Sequence, residues 1–114
     1  MSEFTYLYRG RADQTGSPEE RQQHLVKWRA WFQELGANGH LKELGHPLEN
    51  GGVVVKGSQK IVTDGPFAEA KDVVGGFSII EARDLAQAVE LSKGCPILEL
   101  GGAVEVRPIQ TMSM

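Results

Sequence analysis

The chain has 114 residues, of which 40% are hydrophobic and 24% are charged, a balance typical of one globular domain. Twelve lysines and arginines against fifteen aspartates and glutamates give a net charge of −3, and the basic residues form no stripe of the kind that nucleic-acid binders show. No apolar run approaches the roughly 20 residues of a membrane span, and the polar start MSEFTYLYRG lacks a signal-peptide core. We therefore expect a single cytoplasmic domain over residues 1–114, with neither nucleic acid nor membrane among its partners.

The first segment, FTYLYR, alternates with the period of a β-strand. Phe4, Tyr6 and Tyr8 fall on one face, and Leu7 falls on the other. Because aromatic residues are favoured in strands, this pattern predicts a strand with an aromatic face.

A helix start follows in the phrase SPEE. Ser17 is of the type found at N-caps, Pro18 occupies the first helical position, and Glu20 stands three residues after the cap, as in a capping box. Apolar side chains then recur at spacings of three and four, and Gly39 offers a left-handed stop. The pattern predicts an amphipathic helix over residues 18–37.

The middle of the chain indicates short strands. GGVVVKG and QKIVTDG are separated by Gly57 and Ser58, which predicts a hairpin with a two-residue turn. VVGGFSIIEA predicts a further strand, in which Gly75 and Gly76 indicate a bulge or a close approach of two backbones.

A second helix and a final strand complete the pattern. Asp84 is the predicted N-cap, Gln87 stands at the third position, and the helix is expected to run to about Lys93. AVEVRPI alternates, and Pro108 suits the end of an edge strand. This order predicts an α+β fold, the ferredoxin-like split β-α-β-β-α-β arrangement with an inserted β-hairpin.

Two helices can cover only one face of such a sheet, yet both faces carry apolar side chains. Leu7 lies on the opposite face from Tyr6 and Tyr8. In the later strand, Phe77 and Ile79 likewise lie on the opposite face from Ile80. An uncovered apolar face is expected to find a partner, and a symmetric homodimer, sheet against sheet, satisfies both copies at once. The alternative is that Tyr6 and Tyr8 line the pocket of a monomer.

His24 is the most informative histidine. At about 100° per residue it falls within the apolar arc of the first helix, together with Trp28 and Trp31. Partial removal from water favours the neutral imidazole, which can serve as a general base. The alternative is a histidine at the edge of the core that bonds a backbone carbonyl, and only geometry distinguishes the two.

The phrase TDGPFAEAK carries more chemistry than a turn requires. Asp64 begins an Asp-Gly-Pro turn. Phe67 can anchor the loop or wall a pocket, and Glu69 and Lys71 can pair with each other or bind a polar ligand. Loops held between rigid strands are common places for functional sites.

The remaining candidates for chemistry are weak. In one continuous strand His40 and His46 would stand about 20 Å apart, too far to share a metal ion. Cys95 has no base beside it in the sequence and is expected to be a small buried residue that closes the second helix. The sequence holds no phosphate-binding loop or dinucleotide fingerprint. We therefore expect neither a metal nor another cofactor.

Several phrases in fixed order resemble one known family. They are RQQHLVKW in the first helix, then DGPFAEAKDVVGGFSIIEARDLAQAVELSKGCP, then VEVRPI at the end. Together they span nearly the whole chain and look like the DGPF group of the YCII-related proteins. The resemblance implies a ferredoxin-like α+β barrel formed by a dimer.

The resemblance also implies a site. In the wider family a helix histidine and an aspartate are regarded as a catalytic pair, and one branch is a dehydrochlorinase of hydroxylated aromatics. His24 in QQHL matches that histidine. The relatives carry Asp-Pro after the second helix, where this chain has Cys95-Pro96. Asp64 is our candidate for a substitute acid, on the chemistry of the residue alone.

The first hypothesis is therefore a small dimeric enzyme with a pocket between the sheet and the first helix. It would transfer a proton without a cofactor, as a lyase or isomerase, on a small aromatic or enol-bearing substrate. His24 would be the base, and Asp64 would orient the imidazole or accept a proton. The candidate substrate contacts are Tyr6, Tyr8, Trp28, Phe67, Glu69 and Lys71.

Two alternatives involve no catalysis. In a dimeric ligand-binding or regulatory module, Tyr6, Tyr8 and Phe67 would line a small-molecule cavity and His24 would be structural. In an interaction module, the dimer would use the whole apolar face and leave no cavity.

Overall fold

The computed structural model describes residues 1–10, 16–49, 51–64 and 73–111. The secondary structure follows the predicted order. Its elements are β1 (Ser2–Gly10), α1 (Pro18–Ala37), β2 (Leu41–Glu43), β3 (Val53–Lys56), β4 (Ile61–Asp64), β5 (Val73–Ala82), α2 (Leu85–Ser92), a 3₁₀-helix (Pro96–Leu100) and β6 (Ala103–Pro108).

Four of the strands form an antiparallel sheet in the order β2-β5-β1-β6, and β3 and β4 form a separate hairpin. The two long strands, β1 and β5, lie in the centre, and each is followed by a helix. This is the split β-α-β-β-α-β topology, with the hairpin inserted between β2 and β5. The predicted fold class is confirmed.

The ends of both helices form as their capping residues predict. The Ser17 hydroxyl accepts the backbone N–H of Glu20 at 3.1 Å, and the chain leaves α1 through Gly39 at a φ of 78°. At the start of α2, the Asp84 carboxylate accepts the N–H of Gln87 at 2.8 Å. The predicted span of the first helix is therefore confirmed, and the second ends one residue before its predicted limit.

The ladder between β1 and β5 skips one glycine. Tyr8 pairs with Gly76 and Arg9 pairs with Val74, so that Gly75 is left over as a bulge. A Cβ on Gly76 would lie 3.1 Å from a carbonyl oxygen of the segment after β2. Both features predicted for the glycine pair, the bulge and the close approach, are confirmed.

The predicted two-residue hairpin turn is wrong. Lys56 pairs with Ile61, which leaves four residues, 57–60, in the turn. Gly57 and Lys60 adopt positive φ angles of 77° and 58°, and the Lys60 N–H donates to the Gly57 carbonyl at 3.0 Å. Gly57-Ser58 would suit a type II′ turn, which requires positive φ only at its first central residue. The chain instead places its second left-handed residue at Lys60, which lengthens the turn.

The core lies between the helices and one face of the sheet. Trp31 stacks on Tyr6 with ring centroids 5.9 Å apart, and the Tyr6 hydroxyl donates to the backbone carbonyl of Ala88. The Tyr8 hydroxyl donates to Ser78 Oγ at 2.9 Å. The buried apolar residues are Phe4, Tyr6, Tyr8, Trp31, Leu35, Ile80, Ala82, Ala88 and Cys95.

The opposite face of the sheet, which we call the outer face, carries an apolar strip between ion pairs. The half-buried Leu7, Phe77 and Ile79 form the strip. At its margins the Arg9 guanidinium lies 3.0 Å from the Glu105 carboxylate, and further ion pairs join Lys42 to Glu3 and Glu81, and Arg107 to Glu105. Within the described ranges, no helix has the length and apolarity needed to cross a bilayer.

The buried phenols and the buried thiol predict a loss of stability in alkali. Burial raises the pKa of Tyr6 and Tyr8 above 10, and it raises the pKa of Cys95 to about 12. As the pH rises, the unfolded chain loses these protons before the folded chain does, so stability is intact below about pH 9 and declines above it. We expect Tm to fall between pH 9 and 11, and to fall less steeply in Tyr8→Phe. An equally steep decline in that variant would contradict the prediction.

Candidate active site

His24 lies in the second turn of α1 and is half-buried. Trp28 follows one turn later, and its indole Nε1–H donates to Nε2 of His24 at 2.9 Å. The spacing of four residues places the two rings on the same face of the helix. Leu25, the next residue of the helix, is exposed despite its apolar side chain, so that His24 lies at the border between core and solvent.

This hydrogen bond determines the position of the proton on a neutral His24. An indole N–H can only donate, so Nε2 must be the acceptor, and the neutral imidazole then carries its proton on Nδ1. No described residue bonds to Nδ1. The Nδ1–H group is therefore the atom of His24 that remains for a ligand.

An aromatic cluster continues from this pair into the core. The Trp28 and Tyr8 rings meet edge to face with centroids 4.9 Å apart, and Phe32 lies 5.7 Å from Trp28. The Tyr8 hydroxyl donates to Ser78, whose own hydroxyl donates to the Leu44 carbonyl at 2.6 Å. Because these hydroxyls bond internally, the tyrosine contributes an apolar ring to the site and no free polar group.

The predicted substrate contacts are placed as follows. Trp28 contacts His24 and Tyr8 packs against Trp28, whereas Tyr6 is fully buried and stacks on Trp31. The contacts predicted in the phrase TDGPFAEAK lie outside the described residues: Phe67, Glu69 and Lys71.

The described residues next to the phrase TDGPFAEAK have fixed positions. Its first two residues end β4, and β5 begins at Val73, which pairs with Gly10 at the end of β1. Tyr8, two residues earlier in β1, touches Trp28. The start of β5 is therefore paired with the end of β1 that is near Trp28.

Asp64 is the last residue of β4 and is exposed. It pairs with Val53 across the hairpin. Among the described residues, no hydrogen bond joins it to His24, whose bond goes to Trp28. The pairing of His24 with Asp64 stays a prediction.

Cys95, for which the resemblance implies the position of an aspartate, has the surroundings of a core residue. The side chain is buried, and its backbone stands at the start of the 3₁₀-helix. Burial raises the pKa of the thiol to about 12, so the thiol is neutral at physiological pH. The expectation of a small buried residue that closes the second helix is confirmed.

The other polar candidates are structural or dispersed. Nδ1 of His40 lies 2.8 Å from the carbonyl oxygen of Glu81, between β2 and the end of β5. Across the part of the chain that the structure describes, no three histidine, cysteine, aspartate or glutamate side chains are grouped to hold a metal ion.

One depression was missed by the sequence reasoning. It has a volume of about 330 Å³ and lies at the base of the hairpin, between residues that precede β3 and the first residues of β5. The aliphatic phrases GGVVV and DVV were its only signal, and they were interpreted as strands. Its lining includes Leu48, Glu49, Val53, Val54, Val73 and Val74.

Comparison with known proteins identifies relatives. A family model, the YCII-related domain, matches residues 4–113. Among solved structures, 5-chloro-2-hydroxyhydroquinone dehydrochlorinase (TftG) from Burkholderia phenoliruptrix AC1100, in complex with 2,5-dihydroxybenzoquinone, is 21% identical, with a TM-score of 0.46 over 95% of this chain and 93% of that chain. No curated protein matches the sequence significantly.

Proposed function

This chain belongs to the YCII-related family, and from that premise we propose that it binds a small aromatic or enol-bearing molecule and transfers a proton on it. The chemistry would be of the lyase or isomerase type and would need no cofactor. Membership of the DGPF group within the family stays a prediction that rests on the phrase itself.

The observation that carries the proposal is the His24–Trp28 pair. A half-exposed imidazole stands at the border of an aromatic cluster, with an indole bonded to one nitrogen at 2.9 Å and the other nitrogen left for a ligand. Aromatic rings offer faces and edges on which a flat ligand packs. The titratable group and the apolar wall are thus adjacent, as general acid–base catalysis on such a ligand requires.

The hydrogen bond also sets the order of events that we propose. In the resting state His24 presents Nδ1–H, a donor, to an oxygen of the ligand. To act as a base it must accept at Nε2, so the Trp28 N–H must leave that nitrogen. Asp64 would orient the imidazole or take a proton, Phe67 would form a wall, and Glu69 and Lys71 would bind polar groups of the ligand.

Proton transfer can be tested on a simple probe. Resorcinol exchanges its activated ring protons slowly in D₂O, and ¹H NMR follows the exchange. We expect the wild-type protein to accelerate it and His24→Ala to lose at least about 100-fold of that acceleration, the usual contribution of a general base. Gln23→Ala, an exposed neighbour on the same helix, is the matched control and should retain the rate. Unchanged exchange in His24→Ala would exclude His24 as the base.

One observation favours the alternative of a binding module without catalysis. The Nε2 lone pair of His24 is already occupied by Trp28, and the Tyr6 and Tyr8 hydroxyls bond inside the core. Resorcinol that binds equally to wild type and His24→Ala, with no exchange in either, would support the binding module.

We also propose that two copies of the chain assemble through the outer face. The strip formed by Leu7, Phe77 and Ile79 has no helix over it among the described residues, and ion pairs border it. An apolar centre with a polar rim is the usual anatomy of a protein interface. A two-fold axis through this face would cover the strip of both copies at once.

A further inference from the structure

The β3–β4 hairpin has an aliphatic face turned to solvent. Val53, Val55 and Val62 share that face, because Val55 pairs directly with Val62 and side chains alternate along each strand. Their exposed fractions are 63%, 62% and 61%. We call these three residues the valine face. These three adjacent β-branched side chains form one continuous apolar patch, and they are more exposed than Val54 and Ile61 on the opposite face, at 44% and 55%.

The hairpin does not cover this face itself. Among the described residues, β3 and β4 pair only with each other, and an isolated two-stranded hairpin is marginal in water. The chain is also extended, with dimensions of 47 × 44 × 19 Å and a radius of gyration of 15.8 Å, against about 13 Å for a compact domain of this length. The hairpin thus has the form of an arm that lacks its partner.

We infer that the valine face packs against the valine face of a second copy of this chain, with the two hairpins antiparallel about a two-fold axis. The charges on the hairpin favour this arrangement. Asp64 lies at its base on the valine face, since it pairs with Val53, and Lys60 lies in the turn at its tip; both are exposed. In the antiparallel pair, the acidic base of each hairpin meets the basic tip of the other.

The valine face is too small to hold two copies together by itself. A standard interface buries about 800 Å² of surface on each partner. The surface of three valine side chains is much smaller than that. The hairpin contact therefore adds to the assembly proposed through the outer face, and rests on it. A parallel arrangement would bring Asp64 near its own copy and the tip lysines together, which like charges disfavour.

Sedimentation equilibrium of the full chain tests the contact. Val55→Thr/Val62→Thr keeps the shape and strand preference of the pair but makes the valine face polar. We expect the dimer dissociation constant to rise by about tenfold or more, since the substitutions recur in both copies. The matched control is Val54→Thr/Ile61→Thr, on the other face of the same hairpin, which should leave the constant within about threefold of wild type.

A charge exchange tests the antiparallel orientation. Asp64→Lys and Lys60→Glu should each weaken the dimer by roughly two- to fivefold, the range of exposed ion pairs. The double variant should recover most of the loss. Additive losses in the double variant would overturn the orientation.

The outcomes separate this inference from the outer-face assembly. A wild-type chain that is monomeric at all concentrations overturns both. If the wild type dimerises and Phe77→Lys abolishes the dimer, but the valine variant has no effect, only the hairpin contact is wrong. Open-ended assembly of the wild type would indicate pairing of the hairpin edges with further strands, and would overturn the two-fold contact.

Discussion

Gly45→Ala is expected to cost about 3 kcal/mol more in the free energy of unfolding than Gly39→Ala. Both glycines adopt a left-handed backbone, with φ angles of 75° and 78°, so alanine pays a similar conformational penalty of about 1 kcal/mol at each. They differ in the space around the missing side chain. A Cβ on Gly45 would lie 1.7 Å from the carbonyl oxygen of Phe77, whereas Gly39 has no atom within 4 Å.

The difference is large because the obstructing atom belongs to the backbone of a central strand. The Phe77 carbonyl cannot rotate away as a side chain can, so β5 or the segment after β2 must move, at a cost comparable to severe overpacking. Urea denaturation of the two variants measures the difference directly. Equal losses in the two variants would show that the backbone near Gly45 can yield.

The Gly45→Ala substitution is also expected to disturb the candidate site. Gly45 follows Leu44, whose carbonyl accepts the Ser78 hydroxyl that in turn holds the Tyr8 phenol. A shift of this segment therefore loosens Tyr8, against which Trp28 packs. A partly folded Gly45→Ala protein should lose ligand binding before it loses its secondary structure.

Local signals predicted the elements well, for a physical reason. A helix start depends on side chains within four residues, so Ser17 and Glu20 were sufficient to place α1. The bulge at Gly75 and the cap at Asp84 are similarly local. The length of the hairpin turn was not predictable in this way, because Gly57-Ser58 also suits a two-residue turn and a lysine with positive φ is not a typical signal.

The candidate site was predicted in part. The helical period placed His24 and Trp28 on one face, but it gave no sign that the indole N–H is bonded to Nε2. That bond depends on side-chain rotamers set by packing against Tyr8, a contact between residues twenty positions apart in sequence. The exposure of the valine face was likewise hidden, since VVVK and IVT look the same whether a strand is buried or not.

Trp28→Phe is expected to move the proton of neutral His24 from Nδ1 to Nε2. In the wild-type chain the indole donates to Nε2 and so excludes a proton from that nitrogen. Phenylalanine retains the apolar ring beside Tyr8 but has no N–H. An unconstrained imidazole prefers the Nε2–H form, so the variant should revert to it. Long-range ¹H–¹⁵N correlation spectra of the imidazole distinguish the two forms.

The control for this experiment is Phe32→Leu, which alters the packing of Trp28, 5.7 Å away, without removing the indole donor. It should leave the proton on Nδ1. A wild-type spectrum with the proton on Nε2 would contradict the geometry of the pair. The same result would remove the basis for a resting state in which His24 presents a donor to its ligand.

The variant also separates two roles for Trp28 in the proposed proton transfer. If His24 acts as the base, Trp28→Phe leaves an acceptor nitrogen free without the opening of the hydrogen bond that the wild-type chain requires. In the Nε2–H form of the variant this acceptor is Nδ1, the nitrogen that we propose meets the ligand. The exchange of resorcinol protons should then be at least as fast as in the wild type, while His24→Ala remains slow. If Trp28→Phe instead lowered the exchange rate as much as His24→Ala does, the indole N–H would itself bind the ligand, in addition to the apolar contact that its ring provides.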